Sequence, residues 1–126
     1  MARASHLASL AQVFAALSDP TRLRLLNLID GREVCVCYLV DVLGQSQPKI
    51  SRHLAYLRRA GLVSARREGK WMHYRLLQPA NADVSAVLQT TLTALRANPL
   101  LQAERRDLEE ACYRLGRLFT PKLITS

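Results

Sequence analysis

Negative charge is in short supply in this chain, with ten Asp and Glu among 126 residues against eighteen Lys and Arg. The resulting formal charge of +8 suits a polyanionic partner, nucleic acid first. Long apolar runs are also missing: no window approaches the roughly 18 consecutive apolar residues of a membrane-spanning helix, so no membrane partner is expected. The opening MARASHLASLAQVFAALSDP carries one Arg, and His6, Ser9 and Gln12 interrupt its apolar residues. That makes it too polar for a secretory leader and leaves the cytoplasm as the expected location. Cysteine is limited to three residues, an odd number that argues against a disulfide framework and for free thiols in a reducing compartment. Aromatics are 6% of the chain and form no pairs on strands for base stacking, which disfavours RNA. Neither paired carboxylates on one face, nor a Ser/His/Asp set, nor a Gly-rich phosphate loop or C-x5-R pattern at a cysteine is found. The chain is therefore read as not an enzyme.

What remains is 49% apolar and 22% charged, the balance of a folded protein of one domain spanning 1–126. Leu7, Leu10, Ala11, Phe14 and Leu17 fall at helical spacing and predict a first helix with one apolar face. Asp19 and Pro20 then form a cap and a first helical residue, predicting a second helix to Ile29 that buries Leu23 and Leu26, with Leu25 a further candidate, and stops at Gly31. VCVCYLVDVLG reads as a short helix whose first residues are irregular or extended. Three residues, Gly44 to Ser46, connect it to QPKISRHLAYLRRAG, where Ile50, Leu54 and Leu57 share a face. Two helices so joined make a helix-turn-helix. LVSARREGKWMHYRLL folds back around Gly69 as a β-hairpin, with Trp71 and Tyr74 packing it on the body. Asn81 or Asp83 caps a further helix, and a last one is expected from about Leu100 to Leu118. On that last helix Leu101, Leu108, Ala111, Cys112 and Leu115 should face inward, with Glu104, Arg105, Arg106 and Glu109 in water. The expected fold is mainly α with a small β-hairpin wing, a winged helix-turn-helix.

On the helix from Gln47 the inward apolar face leaves Gln47, Lys49, Ser51, Arg52, His53 and Tyr56 on the other sides, with Ser46 at its entrance. Gln bonds adenine and Arg bonds guanine, while Ser, Lys and the helix N-terminus anchor phosphates. Arg66, Arg67, Lys70 and Arg75 around the hairpin tip suit the DNA backbone or a minor groove. Double-stranded DNA is the expected partner. The amphipathic ends of the chain invite a second copy.

SDPTRLRLLNLI followed by EVCVCYLVDVLGQSQPKISRHLAYLRRAGLVSARREGKWMHYRL closely resembles the ArsR/SmtB family of winged-helix metalloregulators, from about Leu10 to Leu77. The resemblance implies a homodimeric repressor that leaves its operator when metal binds. Its implied interface comprises the first helix (about 5–17) and the C-terminal helices (about 83–118). CVC at this position looks like the arsenic-responsive branch, with As(III) or Sb(III) as inducer and no organic cofactor.

Thiolate is the soft ligand that such an ion prefers. Cys35 and Cys37 are two residues apart, so they share a face only where the segment is extended or becomes so. An ion that favours the extended form would then distort the helix preceding the reading helix, about ten residues away. The family pattern CVCDLC is CVCYLV here, which puts Val40 where a third thiol would stand and Tyr38 where an Asp would. A three-thiolate site then needs Cys112, which is otherwise a buried small apolar residue. The family's C-terminal zinc site is not expected: Glu104, Asp107, Glu109 and Glu110 are present, but no His follows Tyr74. His6, His53 and His73 are spread over three elements and are not read as ligands. The competing input is redox, a disulfide among Cys35, Cys37 and Cys112 on the same DNA-binding fold.

Overall fold

The structure is a computed structural model that describes residues 2–114. The order is α1 (Ala2–Leu17), α2 (Pro20–Ile29), β1 (Val34–Cys35), α3 (Val36–Leu43), α4 (Gln47–Arg59), β2 (Val63–Glu68), β3 (Trp71–Leu76), α5 (Ala82–Arg96) and α6 (Pro99–Arg114). Leu115 and the stretch to Leu118, expected to prolong the last helix, lie outside the described residues.

Local chemistry sets the boundaries. The Asp19 carboxylate accepts from the Arg22 N–H at 3.0 Å, and Pro20, with no N–H to leave unpaired, opens α2. At the end of α3, Gly44 takes φ 65°, a left-handed conformation open to glycine, and its N–H reaches the Val40 carbonyl. Ser46 caps α4. Its exit has Gly61 N–H on Arg58 O and Leu62 N–H on Leu57 O, a Schellman closure with Leu57 and Leu62 both buried. Gly69 and Lys70 form a two-residue hairpin loop, with glycine at the position that demands positive φ.

The sheet is antiparallel in the order β1-β3-β2. It has one strand more than the hairpin read from sequence, because Val34 and Cys35 pair with Tyr74 and His73. Two residues are too few to show a period-2 pattern. The core is built on α2, whose Leu25, Leu26, Leu28 and Ile29 are all fully buried against Leu39, Ile50, Leu54, Leu57, Leu88, Leu92 and Leu108. Leu25 is thus a core residue, whereas Leu23 is only half-buried. Because α4, α5 and α6 all pack on α2, its buried sector is wider than a single stripe.

Two amphipathic readings are corrected. On α1 the buried residues are Val13 and Ala16, while Leu7 and Phe14 stand 67% and 53% exposed, so the apolar residues divide between the core and an outward stripe. On α6, Glu104 and Arg105 do not face water but dock on α2. Arg24 donates to the Glu104 carboxylate, and Arg105 Nη1 donates to the carbonyls of Asn27 and Asp30. The buried Asn27 amide donates to Leu101 O at 2.9 Å and accepts from Gln102 Nε2 at 3.1 Å. α6 is thus held to α2 by polar contacts that its own sequence periodicity does not announce. Helices α3 and α4 joined by a tight turn, followed by the β2–β3 hairpin, make the molecule a winged helix-turn-helix.

Candidate thiol site and nucleic-acid interface

Cys35 ends β1 with extended backbone (φ −69°, ψ 142°) and is at the same time the residue preceding α3; Cys37 lies in the first turn of that helix. The strand-to-helix change between them brings both side chains together, with Cys37 Sγ donating to Cys35 Sγ at 3.0 Å. No unwinding of α3 is required for the two sulfurs to meet, in contrast to what a helical reading of the segment demands. Cys35 is buried and Cys37 half-buried. Burial, then the hydrogen bond and charge of Cys35, push the Cys37 thiol up to about 12.

Cys112 is buried on α6, which packs on α3. Burial raises its thiol to about 11, opposed by the charge of Arg32 and reinforced by that of Cys35. The structure joins Cys35 and Cys37 and leaves Cys112 nearby: among the described residues no three His, Cys, Asp or Glu side chains are grouped to hold a metal ion. Sequence reasoning did not single out Arg32. Its side chain is 2% exposed, donating to Leu28 O at 3.0 Å and Glu109 at 3.1 Å, while Nη2 has no hydrogen-bond partner. Burial lowers its pKa. An arginine just past a helix-ending glycine reads as surface, and only the docking of α6 covers it.

The thiol pair adjoins both elements from which DNA contacts are expected, the wing and α4. Through β1 it lies in register with β3 of the wing, and through α3 it contacts α4. On α4, Gln47, Lys49 and Arg52 are exposed, as is Ser46 just before it; Ser51 is half-buried. The Ser46 hydroxyl accepts from Lys49 N–H at 3.4 Å. His53 and Tyr56 are half-buried and already engaged. His53 Nδ1 lies 3.3 Å from Arg22 Nη1 and 3.8 Å from the Asp19 carboxylate, and the Arg22 guanidinium stacks 4.1 Å from the Tyr56 ring centre. On the wing Arg67, Lys70 and Arg75 are exposed, Lys70 lying over Trp71, while Arg66 is bonded to Glu33 at 2.7 and 3.1 Å. His6 bonds Asp83 and Asn81, joining α1 to the start of α5. No helix among the described residues is long and apolar enough to cross a membrane.

Comparison with known proteins matches residues 19–65 to the family described as bacterial regulatory protein, arsR family. The arsenic resistance transcriptional regulator ArsR2 of Pseudomonas putida is 51% identical over 83 residues, which cover 65% of this chain and 72% of the relative. The arsenical resistance operon repressor of Escherichia coli is 56% identical over 66 residues, 52% of this chain and 56% of the relative. Among solved structures, the homodimeric winged helix-turn-helix DNA-binding domain (fragment 1-100) of Mb0332 from Mycobacterium bovis, described as a possible ArsR-family transcriptional regulator, superimposes with a TM-score of 0.62 at 32% identity, covering 73% of this chain and 82% of that one. The transcriptional repressor BigR from Xylella fastidiosa gives 0.60 at 28% identity, covering 75% and 91%.

Proposed function

Because the chain belongs to the arsR family of bacterial DNA-binding transcriptional regulators, we propose that it is a homodimeric operator repressor that lets go of DNA when arsenite or antimonite binds Cys35 and Cys37. The observation that carries this is the 3.0 Å sulfur pair at the junction of β1 and α3. Two sulfurs in an apolar setting suit a soft, thiophilic ion and offer little to Mg²⁺ or Ca²⁺, which want oxygen. The names of the relatives point to arsenic.

Arsenous acid suits protonated thiols. Each S–H passes its proton to an arsenic-bound hydroxyl, water leaves and an As–S bond forms, with arsenic trivalent throughout. The ion then takes a place between a strand in register with the wing and a helix packed on the reading helix. Any shift of β1 against α3 that a pyramidal ion prefers changes how wing and reading helix lie relative to each other, and affinity for DNA falls by the difference in fit. Cys112 is the candidate third ligand, carried on α6, which packs on α3. Ser46 at the entrance of the reading helix, Gln47, Lys49, Ser51 and Arg52 on it, and Arg66, Arg67 and Lys70 on the wing supply the DNA contacts. His53 and Tyr56 contribute at one remove, by holding Arg22. Dimerisation uses α1 with the C-terminal helices.

The sulfur contact also favours a second reading, in which peroxide oxidises the pair to a disulfide with release of two waters and the same loss of DNA. Anisotropy titration of the protein on its own upstream duplex separates the two. Arsenite release that survives in the Cys35→Ser/Cys37→Ser variant overturns the proposal. Release by low peroxide with no ultraviolet arsenic–thiolate band favours the redox input.

A further inference from the structure

The cations of this protein are not distributed evenly between partners. Arg24, Arg32, Arg66, Arg96 and Arg114 each meet a carboxylate within 4 Å: Glu104, Glu109, Glu33, Asp30 and Glu110 respectively. Arg58 of α4 and Arg67, Lys70 and Arg75 of the wing meet none among the described residues, and neither do Lys49, Arg52 and Arg59 of α4. Together with Arg22 of α2 these three line an open depression of about 430 Å³ whose floor includes Tyr56. The Tyr56 ring orders two of the four: Arg22 lies 4.1 Å and Arg59 5.6 Å from its centre. Arg22 is fixed further by donating Nε to Ala16 O at 2.8 Å and Nη2 to Ala15 O at 3.2 Å. No carboxylate lines the depression.

Four cations around one concavity repel each other. Ten acidic residues are available in the chain, and Asp19 alone comes near, occupied with capping α2. An arrangement of that kind is stable in use when an anion sits in it. We propose that the depression between α2 and α4 seats backbone phosphate of duplex DNA, with Arg22 and Arg59 as contacts beyond the reading helix's base-facing residues and Tyr56 as the platform that holds them. The proposal rests on the DNA-binding reading above. Ionic groups spaced along one flank of α4 would line one wall of the groove the helix enters. Such contacts position the duplex without reading its sequence.

The test is the salt dependence of binding. Anisotropy on the protein's upstream duplex and on a scrambled duplex is followed from about 50 to 200 mM salt, where each phosphate contact adds about 0.9 to the slope of log K against log salt. Arg59→Gln and Arg22→Gln should each lower that slope by about one and weaken both duplexes by the same factor. Tyr56→Leu should lower it by about two, and Tyr56→Phe, which keeps the ring, should restore it. Arg106→Gln, an exposed α6 cation, should leave it unchanged, and circular dichroism checks that each variant is folded. An unchanged slope in a folded Arg59→Gln variant overturns the seat, as does a loss confined to the operator. Absence of salt-dependent binding by the unaltered protein overturns the DNA reading itself and the seat with it.

Discussion

At the scale of single residues the thiols are the informative groups. Burial raises Cys37 to about 12 and Cys112 to about 11, so both carry their protons near neutrality. Arsenous acid binds such thiols without net proton release, since the hydroxyls that leave take the protons as water. A divalent soft cation must expel the protons into solution, and its affinity rises by about tenfold per proton for each pH unit. The prediction is that arsenite-driven release, followed by anisotropy from pH 6.5 to 8, hardly moves, while cadmium affinity climbs steeply. An arsenite curve as steep as that of cadmium would show that thiolates must form first. Cys112→Ser should weaken arsenite without abolishing release, because the touching pair remains. The pair was legible from CVC taken with the family resemblance, and its meeting was expected only of an extended segment, which the backbone at Cys35 supplies. Arg32 was not, because its burial is made by α6, 77 positions further along at Glu109.

Among elements, the turn between α3 and α4 fixes the reading helix against the thiol helix. Gly44 sits at φ 65° with nothing within 4 Å of a Cβ added there, so Gly44→Ala meets backbone strain alone. It should cost about 1–2 kcal/mol in urea denaturation and loosen operator binding, whereas a neutral result would mean that the turn adapts freely. The wing has its own tie, Arg66 to Glu33 just before β1. The hydrogen bond from Arg66, outweighing the opposing effect of burial, holds the Glu33 carboxyl below its ordinary value. With the folded value lowered, this stabilisation is present above the ordinary carboxylate range and disappears as pH falls through the lowered one. Stability measured from pH 6 to 3 should therefore fall less steeply in Glu33→Gln than in the unaltered protein, and equal slopes would mean the pair adds nothing. Helix-turn-helix and hairpin were legible because periodicity and glycine placement act locally. The strand at Val34–Cys35 was only half legible: an extended start was expected, but its partners are the distant His73 and Tyr74.

At the scale of the whole molecule, α1 presents Leu7 and Phe14 outward, one two-turn repeat apart, at exposures that an isolated chain gains nothing from. In the dimer proposed above, a second copy would cover this stripe. Phe14→Glu should weaken the dimer at least tenfold in sedimentation velocity and lower operator affinity with it, while an unaltered sedimentation profile would place the interface elsewhere. Sequence periodicity had put these residues on one apolar face. The structure divides that face between core and exterior, a division only the position of α2 decides. Two ends of the molecule's chemistry meet in arsenite-driven release: sulfur contact at Cys35 and Cys37, and DNA on α4. The most direct test of that release is one anisotropy titration of arsenite into the protein bound to its upstream duplex, run beside the Cys35→Ser/Cys37→Ser variant. Full release is expected for the unaltered protein and none for the variant at equal starting affinity. Equal release from both would contradict it.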